Sequence, residues 1–340
     1  MKFLIVGAGR TGHAAVAHLT SLGGECRVLT RCPKKAETIN KHGITSTGAV
    51  EGVFKTEAFT DVSEAVKGID VILIMTISNG HRPVCETLRP VLEQGQSIVI
   101  SNGNWGAFEF KQILGDDIAA KDLTVAETGS GLYLAKPLTA PSNIHFEIKN
   151  HVPFAATDPQ KTALLVNKLA DYYPQFKPVG SIYESSLSAI NPTIHAPITL
   201  LNYVRTENGQ PWYMYAEGVA PTAVNLIAAV DVERLALARA LGFEVSDVVT
   251  SVNSFWKVQH DNLFDVLNKN EDYRKILGPD SIDHRFIKED VPFGIVPLSK
   301  LGRILNVPTP YSDLVVNAFS VMLKKDLMEE GVIFTKEDFS

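Results

Sequence analysis

A chain of 340 residues, 45% hydrophobic and 21% charged, has the composition of a globular protein and enough length for two cores. Its formal net charge of -6 argues against a nucleic-acid partner, which would need a basic face, but leaves room for a small anionic substrate held by local arginines. No apolar run reaches the roughly 20 residues of a membrane helix, and no signal-type apolar core follows Lys2, so a cytoplasmic protein without a membrane partner is expected.

The run Lys2–Val6 is almost continuously apolar, as a parallel strand buried on both faces would be. Gly7-Ala8-Gly9-Arg10-Thr11-Gly12 follows, then a helix over His13–Leu22 with small residues at Ala14, Ala15 and Ala17, stopped by Gly23-Gly24. Glu25–Thr30, Asp70–Thr76 and Ser97–Ser101 read as further strands, with a helix around Pro83–Leu92. Alternation of this kind predicts an α/β fold with an N-terminal doubly wound, Rossmann-type parallel sheet. Cys26, Cys32 and Cys85 form no Cys-x-x-Cys and cannot all pair; reduced thiols are expected, and no protein metal site, because no His/Cys cluster has ligand spacing.

Gly-x-Gly-x-x-Gly alone is weak, since glycines gather in any tight turn. Between a buried strand and a helix it reads as a dinucleotide site: Gly7 for the turn, Gly9 for approach of a pyrophosphate, Gly12 for close packing of helix on strand. The helix start, with Arg10 and Thr11, then offers free N–H groups to phosphate. An NAD site places Asp or Glu at the end of the second strand, about 20 residues past the loop. Here Thr30-Arg31 stands there, with Lys34 and Lys35 after it, which suits a 2′-phosphate; NADP(H) is the expected cofactor and NAD(H) the alternative. A solvated basic turn is the bland reading of the same residues. Strand ends at Thr76, Asn102 and Glu127-Thr128 are short and polar, as a crevice lining would be and as ordinary turns also are.

Past residue 180 helical spacing takes over. Pro221–Leu241, Asp247–Val258 and Ser312–Lys325 read as helices, so residues 1–180 form the expected cofactor domain and 181–340 a C-terminal all-helical domain. Its apolar helices make a homodimer through this domain a candidate assembly.

Three stretches of the second half, Asn191-Pro192-Thr193-Ile194-His195-Ala196-Pro197, Trp212-Tyr213-Met214-Tyr215-Ala216-Glu217-Gly218 and His284-Arg285-Phe286-Ile287-Lys288-Glu289-Asp290-Val291-Pro292-Phe293-Gly294, together with the glycine loop, resemble the opine dehydrogenase family in order and over nearly the whole chain. The resemblance implies reductive condensation of an amino acid with a 2-oxo acid, using a nicotinamide hydride and a His-Asp acid–base pair, here His195 and Asp290. Imine formation moves protons to and from a carbinolamine oxygen, work suited to an imidazole oriented by a carboxylate. Singly, His195 reads as a core histidine and Asp290 as a turn aspartate. Arg285 is a candidate grip on a substrate carboxylate, against a plain surface ion pair. Arg205, Trp212 and Tyr215 are candidates for the amino-acid side; for Trp212, packing around a helix start is the better reading. Asn191 either orients His195 or meets the nicotinamide amide.

The chain departs from the family at Asn102-Gly103-Asn104, where a Pro-Gly turn is usual, and at Gly131-Leu132-Tyr133, where a Pro-Tyr pair is usual. Two other readings stand beside the first: a 2-oxo acid reductase of the ketopantoate-reductase-like group, which typically relies on a lysine and a glutamate, and a non-catalytic NADP(H) sensor. His195 separates the first reading from the reductase, and the presence of both His195 and Asp290 speaks against the sensor.

Overall fold

The computed structural model describes residues 1–137 and 142–339. It divides into two compact units, Met1–Ser185 and Ser186–Ser340, with the division inside the helix Ile182–Leu187.

The first unit is built on β1 (Lys2–Val6), β2 (Glu25–Leu29), β3 (Ile44–Gly48), β4 (Gly52–Phe54), β5 (Glu57–Phe59), β6 (Val71–Ile74), β7 (Ser97–Ile100), β8 (Thr124–Thr128), β9 (Tyr133–Pro137), β10 (Asn143–Ile148), β11 (Val152–Ala156) and β12 (Phe176–Pro178). One sheet has the order β12-β11-β8-β7-β6-β1-β2-β5. It is parallel except where β11 runs antiparallel to β8. From β1 the chain passes to β2 on one side and later to β6 on the other, so the crevice beyond Val6 and Ile74 lies where the strand order reverses, the usual ligand position in such sheets. The β1, β6 and β7 interiors carry Leu4, Ile5, Ile72, Leu73, Ile98 and Val99, all almost fully buried, as strands covered on both faces require.

A second sheet, β4-β3-β10-β9, is not foreshadowed by the sequence reading. It packs against the helix Arg10–Ser21, whose other side lies on β1 and β2. That explains why Ala14, Ala15, Val16, Ala17 and Leu19 are all buried: the helix is covered from two directions. His18 donates to or accepts from the Tyr133 hydroxyl at 2.9 Å, and Tyr133 bonds on to Tyr173 at 3.2 Å, tying helix to small sheet. Desolvation there pushes His18 down to about 4, so this internal bond is made by a neutral imidazole.

Two element ends differ from expectation for plain reasons. The first helix begins at Arg10 rather than His13, because Gly9 is extended and serves as its N-cap; Gly12 therefore lies inside the helix. The helix expected over Pro83–Leu92 is regular over His81–Leu88 and tightens into a single turn at Arg89–Val91, where Pro90 has no N–H to continue it.

The second unit is helical: Asn191–Leu201, Pro221–Ala240, Val248–Trp256, Val296–Leu305 and Pro310–Leu323 are its longer elements. Ile190, Ile194, Ile198, Trp212, Tyr215, Ile227, Val252, Phe255 and Phe286 share one core. Buried charges hold it in register. Glu233 accepts from the Tyr311 and Ser312 amides at 2.7 and 2.8 Å and so caps the helix Pro310–Leu323. Arg234 pairs with Asp231 at 2.6 Å and donates to the carbonyls of Leu187 and Ser246. Among the described residues no helix is long and apolar enough to cross a membrane.

Candidate active site

In the first unit the glycine loop is shaped by backbone contacts. Gly7 has φ +115 and its amide bonds to the Leu29 carbonyl, which places the turn directly over the β1–β2 junction. A Cβ on Gly12 would stand 2.0 Å from the Gly7 carbonyl oxygen, so the helix can approach the loop this closely only without a side chain. A Cβ on Gly9 would meet nothing within 4 Å. The helix Arg10–Ser21 has no side-chain cap, leaving its first N–H groups facing that open space. These features fit a dinucleotide pyrophosphate.

The other cofactor candidates surround this loop. Arg10 is exposed and Thr11 half-buried in the first helical turn. Lys35 folds back to donate to the Ala8 carbonyl at 3.2 Å. Burial pulls His13 below the ordinary imidazole range, the Gly9 carbonyl opposes this, and the Lys35 charge adds to it. Arg31 is exposed; Thr30 is buried, its hydroxyl accepting from the Cys32 amide. Thr76 lies against Gly7, and its hydroxyl has no hydrogen-bond partner although the atom is buried.

The Asn102-Gly103-Asn104 departure has a structural basis. Asn102, Asn104 and Trp105 all have positive φ (56, 43 and 69), two of the three being asparagine, which tolerates that region. The Asn102 amide donates to the Thr128 hydroxyl at 2.8 Å, and Gly103 lies so near Glu127 that a Cβ would stand 2.5 Å from its carboxylate. Glu127, fully buried, accepts from the Ala107 amide at the start of the next helix. The Asn102 side-chain oxygen is buried without a partner.

In the second unit His195 and Asp290, 95 residues apart, meet in a buried pair: Nδ1 of His195 is 2.8 Å from Oδ2 of Asp290. His195 is 5% exposed and Asp290 1%. The helix Asn191–Leu201 carries His195 one turn in, with Pro192 tolerated in the first turn and Pro197 leaving the Thr193 carbonyl without its helical partner. Asp290 precedes a widened turn, Val291–Ile295, in which the Val296 amide bonds to the carbonyl of Val291. Pro292 has no N–H to give, and wide turns of this kind often occur at functional positions. What brings the two elements together is Gly294: a Cβ there would be 2.2 Å from Cβ of Pro192. The motifs around His195 and Asp290 are thus one interlocking contact.

Phe286 lies against the imidazole, ring centroids 4.1 Å apart, and Arg285 places its guanidinium 5.0 Å from the centre of the same ring. Arg285 is about half exposed and lies 3.5 Å from the Glu289 carboxylate, the ion pair that is the plain alternative reading of this residue. His284 packs on Phe286 at 4.5 Å; burial, with Arg285 and His195 adding, pushes it down to about 4. Asn191 lies four residues before His195, the spacing that puts two side chains on one helix face. Arg205 sits elsewhere, about half exposed and 3.6 Å from Glu217. Trp212 is held by packing: its Nε1 donates to the Pro279 carbonyl at 3.0 Å, and its ring fills the space a Gly278 side chain would need.

One contact lay beyond sequence reasoning. The Tyr215 hydroxyl is 3.0 Å from Nε2 of His195. The end of one helix, the short helix Tyr203–Glu207 and an irregular segment separate the two, so no periodicity relates them; the motif containing Tyr215 is the only signal.

The family model described as NAD/NADP octopine/nopaline dehydrogenase, alpha-helical domain, matches residues 178–323. That described as Ketopantoate reductase PanE/ApbA matches residues 3–121. An opine dehydrogenase of Arthrobacter sp. (strain 1C) is 31% identical over 333 residues, which is 97% of this chain and 92% of that protein. A solved octopine dehydrogenase with NADH and L-arginine has a TM-score of 0.78 at 17% identity, over 95% of this chain and 90% of its own. A yersinopine dehydrogenase with NADP+ bound has a TM-score of 0.74 at 15% identity, over 95% and 91%.

Proposed function

We propose that this chain, which belongs to the opine dehydrogenase family, condenses the amine of an amino acid with a 2-oxo acid and reduces the resulting imine with NADPH. As a member of that family it is an NAD(P)-dependent oxidoreductase. The observation that carries the finer reading is the buried His195–Asp290 pair. A carboxylate can only accept, so Nδ1 of His195 donates to Asp290, and Nε2, beside the Tyr215 hydroxyl, is the nitrogen that exchanges protons. Attack of an amine on the oxo carbon gives a carbinolamine, and its hydroxyl leaves as water only if protonated. A protonated Nε2 supplies that proton, and the buried Asp290 favours the imidazolium that carries it. Arg285 is the side chain suited to grip a carboxylate, through paired N–H groups. When bound, the reduced nicotinamide supplies the hydride that converts imine carbon to amine carbon.

Gly7, Gly9, Arg10, Thr11, Gly12, Thr76 and Asn102 would hold the dinucleotide, and Thr30, Arg31 and Lys35 would meet a 2′-phosphate. Support for NADP(H) comes from Arg31, Lys34 and Lys35 after the second strand's end and from the absence of an acid at that end. Arg31→Ala should raise KM for NADPH by roughly 10- to 100-fold, the scale of a lost charge-assisted hydrogen bond, and leave KM for NADH nearly unchanged. Equal effects on both cofactors would remove the 2′-phosphate role.

The decisive assay follows NADPH oxidation with single amino acids, single 2-oxo acids and their pairs. Turnover that needs both partners is expected. Full turnover with a 2-oxo acid alone would favour a ketopantoate-type reductase instead. The match to that family ends at residue 121, before either member of the acid–base pair.

A further inference from the structure

We propose that Tyr215 is a positioning residue for the acid–base step: its hydroxyl donates to Nε2 of His195, holds the imidazole in the Nδ1–H tautomer and favours that neutral form, so that a protonated Nε2 gives its proton up more readily. The inference rests on the reading of His195 as the acid–base group.

The geometry leaves one arrangement for the neutral ring. Nδ1 faces a carboxylate oxygen at 2.8 Å and must donate to it. Nε2 then carries a lone pair, and the group 3.0 Å away is a phenol, which must donate. Burial, with the adjacent Tyr273 adding, pushes the Tyr215 phenol well above its ordinary range, while Arg285 pulls the other way, so the hydroxyl keeps its proton. The ring is held for this purpose: Tyr215 is 3% exposed and stacked on Tyr273, centroids 4.5 Å apart at 19°. Tyr273 is fixed in turn, its hydroxyl accepting from Trp256 Nε1 at 3.1 Å.

The charged and titratable groups around His195 make the effect separable. Asp290 favours the imidazolium. Arg285 and His284 lie across Phe286, with Glu289 beside Arg285. From the helix Pro221–Ala240, Asp231 pairs with Arg234, and Glu233 accepts from the Tyr311 and Ser312 amides and the Ser312 hydroxyl. From Pro310–Leu323, Asp313 faces Arg303 at 3.8 Å. The Tyr215 hydroxyl touches Nε2 directly and favours the neutral base. It therefore opposes Asp290, and the pair sets where His195 exchanges its proton.

The test is an NMR titration of the His195 ring in the enzyme without substrates, assigned by comparison with His195→Asn. Tyr215→Phe keeps the stacked ring and removes the donor. It should raise the His195 midpoint by about half to one pH unit, the scale of one net hydrogen bond. It should shift the corresponding limb of the kcat/KM profile the same way, with KM for NADPH unchanged. Replacing Tyr215 with 3-fluorotyrosine makes a stronger donor and should lower the midpoint. An unmoved midpoint, or movement in the same direction for both, overturns the proposal. The titration needs no turnover, so it stands whichever amino acid and oxo acid the enzyme uses, and a failed substrate screen leaves its result intact.

Discussion

His195→Ala should leave NADPH affinity intact and cut turnover by roughly 10²- to 10⁴-fold, the range of a lost general acid–base. The glycine loop belongs to the first unit, and its shape is set by its own backbone contacts, which the substitution leaves in place. The variant carries a second consequence that must be separated from catalysis. Asp290 is 1% exposed, and its other carboxylate oxygen already lacks a hydrogen-bond partner. Removing His195 strands the whole group. Breaking a buried pair in this way typically costs about 3–5 kcal/mol, so His195→Ala should also unfold at a distinctly lower temperature. His195→Asn resolves the two effects. Its amide nitrogen can reach the position of Nδ1 and still donate to Asp290, but it cannot take up or release a proton. Stability near wild type with turnover as low as in the alanine variant is the expected result. Turnover near wild type in His195→Asn would remove His195 from the chemistry and favour the non-catalytic reading of the pair.

The parts of this molecule that could be read from sequence are those whose environment is the same on all sides. Strands such as Val71–Ile74 and Ser97–Ile100 are buried on both faces, so their apolar runs need no partner to be recognised. The small sheet has no such signature. Ile44–Gly48 is rich in threonine and serine with alternate residues buried, and Gly52–Phe54 is only three residues long. Its central pairing joins Thr45 to Asn143, a contact that follows from folding rather than from any local pattern. The candidate site divides in the same way. His195 and Asp290 each sit in a conspicuous motif, but Gly294 against Pro192 is what makes the motifs adjacent, and neither residue type announces it. Tyr215 is a candidate for the amino-acid side by its motif, but only its hydroxyl on Nε2 ties it to His195. Arg205 is about half exposed and 3.6 Å from Glu217, and no local pattern marks which face of so short a helix is covered.

The glycine loop supplies the other large effect, and its two inner glycines should fail differently. Gly12→Ala places a methyl group 2.0 Å from the Gly7 carbonyl oxygen, where the obstacle is backbone held by its bond to Leu29 and no side chain can swing aside. Overpacking usually costs 1–3 kcal/mol and occasionally more; a backbone obstacle belongs at the upper end, about 3 kcal/mol. For a unit of this size that lowers Tm by roughly 6–12 °C, and NADPH binding is lost with the loop geometry. Gly9→Ala meets nothing within 4 Å and Gly9 is already extended, so the protein without cofactor should melt as the wild type does. The same methyl group intrudes on the open space before the uncapped helix, where the pyrophosphate would lie. NADPH affinity should therefore fall by about tenfold or more, the scale of one surplus methyl-sized group in a tight site. Thermal melts with and without NADPH read both variants: the cofactor should raise Tm in the wild type and much less in Gly9→Ala. A Gly9→Ala protein stabilised by NADPH as strongly as the wild type would show that the phosphates take another route past the helix, and the basic residues Arg31 and Lys35 would then have to be reassigned with them.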